Sequence, residues 1–423
     1  MVANKVGMFV WNYFTNDARV LRECTALSEA GYHVDLIAVH QAGLPETEQR
    51  HANFHIHRMS RKFPFSPVIG WLKNRKYLLG LIALTYGIAC FYWPPLLILL
   101  LISILLLTKP MRTLMFRSVV FLRMIRAGFR KRYDVYHAND LNTLLQAVIC
   151  AKWLGRSKLI YDSHEVQTSR TGYDSPLYGI MERFLLRFVD VCIHENDTRA
   201  AYVKERYGFY PEVVHNYPFK QNYDETVSVD LHQQLGIPPQ EPILLYQGGI
   251  QSGRGLDRLI EAAPHITTGT IVLIGDGRIK PELEKMVAER NLETRVKFME
   301  KVALEVLPNH TRAAYIGFQL LNNTCFNHYS ASSNKLFEYI MSGVPVIACD
   351  FPEISRVVKG YEVGLTVDSH DPAAIANAVN ELVNQPEKRQ NMHQNCLQAR
   401  EIFNWEQEKP IFLAIYEKIA MRS

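Results

Sequence analysis

No Cys-x-x-Cys pair occurs among the seven cysteines, and an odd number of thiols leaves no complete disulfide framework. Neither a zinc site nor an oxidising compartment is implied. Excess charge is scarce too: 47 Lys and Arg against 42 Asp and Glu leave +5 on 423 residues, so net balance does not point to nucleic acid. The amino terminus, Met-Val-Ala-Asn-Lys-Val-Gly-Met-Phe-Val-Trp, lacks the charged-then-apolar layout of a signal peptide and reads as a first strand in a reducing, cytosolic setting. No Gly-x-Gly-x-x-Gly follows the apolar runs at Val6 to Trp11 and Pro242 to Gln247, which weakens a nicotinamide dehydrogenase. The longest absence is of charge itself, from Tyr77 to Thr108.

That uncharged run is membrane-grade in hydrophobicity. As one helix it would be about 48 Å long against a hydrocarbon core of about 30 Å, and Trp93-Pro94-Pro95 breaks it in the middle. A bent hairpin fits better. Its arms, Tyr77 to Trp93 and Leu96 to Thr108, would be about 25 and 20 Å as helices, each short of a full core, so re-entry into one leaflet is expected. Lys73, Arg75 and Lys76 precede it and Lys109, Arg112 and Arg117 follow, which places both ends on the cytoplasmic side. Tyr77, Trp93, Pro94, Pro95 and Leu101 are the expected lipid-facing residues. A core hairpin in a soluble fold is the competing reading, disfavoured by the basic flanks.

A chain of this length predicts two domains. Val6 to Trp11, a polar loop, a helix from Arg19 to Ala30 and His33 to Val39 give strand, loop, helix, strand, the pattern of a doubly wound parallel sheet. Arg19, Arg22 and Glu23 share one face of that helix, read from spacing as a solvated, salt-linked surface. Met111 to Arg132 forms an amphipathic helix, with Arg112, Arg123, Arg126 and Arg130 on one face and Leu114, Phe121, Leu122, Ile125 and Phe129 on the face expected to cover the sheet; its arginines suit anionic head groups. Strands follow at Asp134 to His137, ending in Asn139-Asp140, and at Lys158 to Asp162, ending in Ser163-His164-Glu165. Two more, at Asp190 to His194 and Glu212 to His215, complete a first domain over 1–220, with residues 77–108 inserted. Residues 221–241 read as a linker, residues 242–400 as a second α/β domain and residues 401–423 as a closing helix.

The second domain carries the chemistry. Gly248-Gly249-Ile250 through Arg254-Gly255 follows a strand, and glycines let backbone approach a phosphate while Arg254 supplies a charged donor. Gly275 ends the next strand. Ser332 and Ser333 open a helix, Asn334-Lys335-Leu336-Phe337-Glu338-Tyr339, that ends near Gly343. Free N–H groups and a positive dipole end at Ser333 and Asn334 favour a phosphate, Lys335 adds a cation, and Glu338 one turn on suits neutral hydroxyls. Diphosphate plus ribose is the natural guest.

Four segments in order, Asp17-Ala18-Arg19-Val20-Leu21-Arg22-Glu23, Tyr161-Asp162-Ser163-His164-Glu165, Gly248 to Gly255, and Asn334 to Tyr339 with Gly343-Val344-Pro345-Val346, give a chain that resembles retaining glycosyltransferases of family 4. The ending Phe403-Asn404-Trp405-Glu406 looks like the family's closing helix, which crosses back to the first domain. The resemblance implies the α/β GT-B fold of two facing Rossmann-like domains and a retaining hexosyl- or N-acetylhexosaminyl-type transferase. It also implies a UDP-sugar or GDP-sugar donor and no metal or other cofactor. Donor contacts are expected at Gly248, Gly249, Arg254, Gly275, Ser333, Asn334, Lys335 and Glu338, the catalytic set being His164, Arg254 and Glu338. Asp17, Arg19, Asp140 and His164 fall on the acceptor side, and the hairpin points to a lipid-linked acceptor at a phospholipid membrane. Two positions depart from the pattern: Ser330 stands where a glutamate is frequent, and Gly249 where an arginine is. A nucleotide-sugar epimerase of the same fold and an inactive membrane scaffold are the other readings.

Overall fold

A computed structural model describes residues 5–62, 71, 75–98, 108–169, 175–221, 229–303 and 305–421. Fourteen strands are seen among them. The first eight are β1 (Lys5–Phe9), β2 (His33–Val39), β3 (Thr47–His51), β4 (Phe54–Met59), β5 (Val135–Asn139), β6 (Lys158–Ser163), β7 (Val191–His194) and β8 (Glu212–Val213). They form one sheet in the order β3-β4-β2-β1-β5-β6-β7-β8. β1 lies parallel between β2 and β5, while β3 runs antiparallel to β4 at the edge. The order reverses between β1 and β5. In a doubly wound sheet that switch point, at the carboxyl ends of the strands, is where ligands bind.

The remaining strands are β9 (Ile243–Gln247), β10 (Thr270–Ile274), β11 (Val296–Met299), β12 (Ile316–Gln319), β13 (Val346–Cys349) and β14 (Gly364–Val367). They pair in parallel in the order β11-β10-β9-β12-β13-β14, with the switch between β9 and β12. Alternation along β9 divides its side chains between two cores: Leu244 and Tyr246 pack on one face and Ile243 and Leu245 on the other. Both faces are covered, which is why β9 and β10 read as unbroken apolar runs.

The chain divides into two compact units, Met1–Asp162 with Phe184–Val191, and Ser163–Arg183 with Cys192–Ser423. The segment after β6 thus joins the second unit, earlier than residue 220. Hydrogen bonds explain it: Val166 N donates to Asn327 Oδ1 (2.8 Å) and Asn196 Nδ2 donates to the Ser330 carbonyl (2.9 Å). The closing helix Trp405–Met421 is held in the same unit, where Glu408 accepts from His215 N and Glu406 from Lys220 N. Between these stretches, Leu231–Leu235 is a short helix capped by Asp230, whose carboxylate accepts from Gln233 N.

Three expectations change. The uncharged run is a seventeen-residue helix, Lys76–Tyr92, followed by a turn at Pro94-Pro95 and one helical turn over Leu96, Leu97 and Ile98. Residues 99–107, with Leu101, lie outside the described residues, so the membrane hairpin is not seen, and no described helix is long and apolar enough to cross a membrane. The Tyr86 hydroxyl donates to the Leu96 carbonyl (2.8 Å), folding the turn back on the helix. The helix Lys109–Lys131 buries a different stripe from the one expected: Val120, Met124 and Gly128 face inward, leaving Leu114, Leu122 and Phe129 exposed. Gly128 decides this, because a Cβ there would lie 2.6 Å from the Phe9 ring, so only the small-residue face can approach β1.

The third correction concerns Arg19, Arg22 and Glu23. They are buried, not solvated. Spacing alone does not distinguish the two, because a charged helical face looks the same whether its partner is water or a buried carboxylate.

Candidate functional site

In the first unit, Asp17 caps the helix Ala18–Glu29 by accepting from Val20 N, and it also accepts from the Asn12 amide (2.7 Å). Arg19 makes a two-pronged contact with Asp162, Nε to Oδ2 at 2.8 Å and Nη2 to Oδ1 at 2.9 Å, and its Nε lies 3.1 Å from Glu23 Oε1. His137 Nε2 sits 3.9 Å from both carboxylates. Glu23, His137 and Asp162 could together hold a metal by donor type, yet the guanidinium is already the counter-ion of both carboxylates. Arg19 is therefore a buried clamp that fixes the end of β6, not a side chain open to an acceptor. Asp140 follows β5 at the switch point with φ of 63°, an uncommon conformation for a residue other than glycine, and its N–H donates to the Asp162 carbonyl (2.8 Å).

In the second unit, β9 and β10 end on two glycines that touch. A Cβ on Gly275 would lie 1.9 Å from the Gly248 carbonyl oxygen, and Gly248 itself has φ of 120° with Lys335 Cε 2.9 Å from where its Cβ would stand. Only glycine fits at either position. The helix Asn334–Met341 buries Leu336, Phe337, Tyr339, Ile340 and Met341, which turns Lys335 and Glu338 to its other side, toward this turn. Ser333 precedes the helix and gives it no side-chain cap, so the first N–H groups, at Asn334 and Lys335, keep no partner from that side chain.

Glu338 is oriented by a relay. Thr311 Oγ1 donates to Gln247 Oε1 (2.7 Å), and Gln247 Nε2 donates to Glu338 Oε2 (2.7 Å), leaving the second carboxylate oxygen without a hydrogen bond among the described residues. Gln247 was not picked out from the sequence, though a lone amide ending an apolar strand was the available signal.

Arg254 makes no ion pair or hydrogen bond among the described residues, and its charge acts on Lys335, Tyr246 and His328. Lys335 Nζ stands 5.4 Å from the Tyr246 ring centre. Burial and then the Arg254 charge lower its ammonium to about 8, against an opposing pull from Glu338. His328 is likewise lowered, first by burial and then, among the charges, by Arg254, while its bond to the Asn322 carbonyl opposes. Three basic groups therefore surround the glycine turn and repel one another, an arrangement that a bound anion relieves.

The linkage has a sign. A lysine whose folded value lies below its free value of ~10.4 is held charged at pH 7 at a cost to stability, and that cost fades as pH rises from about 8 toward ~10.4. Lys335→Met is expected to stabilise the protein by about 1–3 kcal/mol at pH 7, discounted for partial exposure, with the gain shrinking by pH 10. Denaturant unfolding at the two pH values checks it, and a gain independent of pH would contradict the assignment.

His164 lies in the loop after β6 and is held through its main chain. Arg199 Nη1 donates to the His164 carbonyl (2.5 Å) and to Glu195 (2.8 Å), Nη2 to the Asn327 carbonyl (3.2 Å) and Nε to Ser330 Oγ (3.2 Å). Asn327 pairs with Val166 in both directions. Ser330, at the position where a glutamate is frequent in the family it resembles, is fully buried in this network, its hydroxyl donating to the Phe326 carbonyl (2.7 Å). Arg199 was missed because its links to Asn327 and Ser330 span 128 and 131 residues, and Asn327 because Val166 lies 161 residues away.

The fold is GT-B, α/β with two parallel-sheet units. Sucrose-phosphate synthase from Thermosynechococcus elongatus superposes with a TM-score of 0.74 at 18% identity over 99% of this chain and 100% of that one. Anabaena HepE, in complex with UDP and glucose, gives 0.70 at 16% identity over 99% and 100%. A family described as Glycosyl transferase 4-like domain matches residues 17–218, and one described as Glycosyl transferases group 1 matches residues 228–398. The two matches follow one another along the chain. A D-inositol 3-phosphate glycosyltransferase of Xylanimonas cellulosilytica is 26% identical over 204 residues, 47% of this chain and 48% of the relative, so the match spans about half of that protein.

Proposed function

We propose that the chain is a retaining glycosyltransferase that moves a hexosyl or N-acetylhexosaminyl group from a UDP-sugar or GDP-sugar to a lipid-linked acceptor, without a metal, at the cytoplasmic face of a membrane. One observation carries the donor half: Arg254 and Lys335, neither engaged by hydrogen bond or ion pair among the described residues, stand beside a turn where only glycine fits, with Glu338 one helical turn away. The UDP in the Anabaena HepE complex fits the same reading.

On this reading the diphosphate lies against the Gly248–Gly275 turn and the helix start at Ser333 and Asn334, and the ribose hydroxyls meet the open oxygen of Glu338. As the bond from the anomeric carbon to the diphosphate oxygen breaks, charge grows on the leaving group. Arg254, Lys335 and the helix N–H groups then bind it more strongly than in the ground state. The acceptor oxygen bonds to the anomeric carbon on the face that the diphosphate leaves and passes its proton to the departing diphosphate oxygen, so configuration is retained. His164 stabilises the transferring sugar by hydrogen bonding.

The lipid half rests on the helix Lys76–Tyr92, which displays Tyr77, Phe91 and Tyr92 at 96%, 83% and 79% exposure, with Trp93 beyond them. An apolar surface of that kind is a membrane or partner surface. Deleting residues 77–108 is expected to release the protein from membranes and to cut transfer to lipid far more than donor hydrolysis. Vesicle flotation with both assays reads this, and a deletion that still floats would remove the membrane role.

The function itself is tested by incubating the full chain with labelled UDP- and GDP-sugars and a membrane lipid extract. Label is expected in the organic phase, at a rate unchanged by a chelator. Epimerised donor with no transfer, or every donor left intact, would overturn it.

A further inference from the structure

A cavity of about 430 Å³ lies in the first unit, and one of its lining residues, Asn12, donates to Asp17 (2.7 Å). Its walls come from the loop after β1 (Trp11, Asn12, Tyr13), the end of β2 (Val39), Arg61, and the helix Lys109–Lys131 (Thr113, Phe116, Arg117, Val120). It opens beside the carboxyl ends of β1 and β2, where this class of sheet places ligands.

The lining has two parts. Trp11, Tyr13, Phe116, Val39 and Val120 supply aromatic and aliphatic surface, while Arg61 and Arg117 supply charge, with no carboxylate among the lining residues. Arg61 Nη1 donates to the neutral Tyr13 hydroxyl (2.9 Å), and Arg117 makes no ion pair or hydrogen bond among the described residues. Two guanidinium groups with no counter-charge among the described lining residues of an apolar pocket favour an anion, and their forked donors suit phosphate oxygens. The helix that carries Thr113, Phe116 and Arg117 is the one that follows the uncharged run, and it also exposes Leu114 and Leu122.

We propose that this pocket binds the phosphorylated end of a lipid, the phosphate on Arg61 and Arg117 and the first carbons of the chain against Trp11, Tyr13 and Phe116. The pocket then names the acceptor class as a lipid phosphate or diphosphate, which rests on the transferase reading above. Its binding is measurable without turnover.

Dodecyl phosphate below its micelle-forming concentration is the probe, with dodecanol and inorganic phosphate as the two comparisons, read by fluorescence of the full chain. Dodecyl phosphate is expected to bind at least about tenfold more tightly than either comparison. Arg61→Gln and Arg117→Gln are each expected to weaken it about tenfold, and Arg254→Ala to leave it unchanged. Trp11→Phe, which keeps an aromatic wall, is expected to remove most of the fluorescence response while a calorimetric titration still shows binding. Equal binding of dodecanol would make the site merely apolar, and equal binding of inorganic phosphate would make it an anion site without a lipid. Binding unaffected by both arginine substitutions would place the ligand elsewhere. Each of these results overturns the proposal while leaving donor hydrolysis, and so the transferase reading, intact.

Discussion

Arg254→Ala is expected to lower turnover with the nucleotide diphosphate sugar by about two to three orders of magnitude, the range for losing one preorganised donor to a growing anion. The effect should fall on kcat more than on KM, because the diphosphate gains its extra charge only as the glycosidic bond breaks. Glu338→Ala should act the other way round, raising KM more than it lowers kcat, since the ribose hydroxyls are neutral before and after transfer. Removing Arg254 also removes one of the charges that depress Lys335, whose ammonium sits at about 8 in the intact protein. The variant should therefore hold Lys335 protonated to higher pH. A steady-state pH profile of donor hydrolysis reads both effects, and an unchanged kcat in Arg254→Ala would remove this residue from the diphosphate site.

His164→Ala is expected to reduce turnover by about one to three orders of magnitude while leaving donor affinity within a few fold. Arg199 holds the carbonyl of His164 and Asn327 holds Val166, main-chain contacts that alanine retains. Calorimetric titration with the donor would show the site intact. A variant that loses donor binding in step with turnover would reassign His164 from the transferring sugar to the architecture of the loop.

What the sequence made legible was local. Apolar runs flanked by glycine gave β9 and β10, and the pattern Asn334 to Tyr339 gave both the helix and the side on which Lys335 and Glu338 stand, because spacing along a helix determines its faces. β4 was available too, since Phe54 and Ile56 alternate with polar residues, whereas the polar and mostly exposed β3 offers no such pattern. The misreadings were long-range. Arg19 looks solvated until Asp162, 143 residues on, is folded against it. The covering face of Lys109–Lys131 was misassigned because close approach at Gly128 outweighed the bulk of Leu114 and Leu122. Arg199 was invisible for the same reason, with Ser330 131 residues away, and Gln247 showed only as an amide ending an apolar strand, its partner Glu338 lying 91 residues on.

The central claim is that the turn at Gly248 and Gly275, with Arg254 and Lys335, holds the diphosphate of a nucleotide sugar. Calorimetric titration of the full chain with UDP, GDP, UMP and GMP tests it most directly. One nucleoside diphosphate is expected to bind at least about tenfold more tightly than its monophosphate, a difference of about 1.4 kcal/mol or more, and Arg254→Ala is expected to erase most of that gap. Equal affinity for the monophosphate and diphosphate, or a gap that survives in Arg254→Ala, would contradict it.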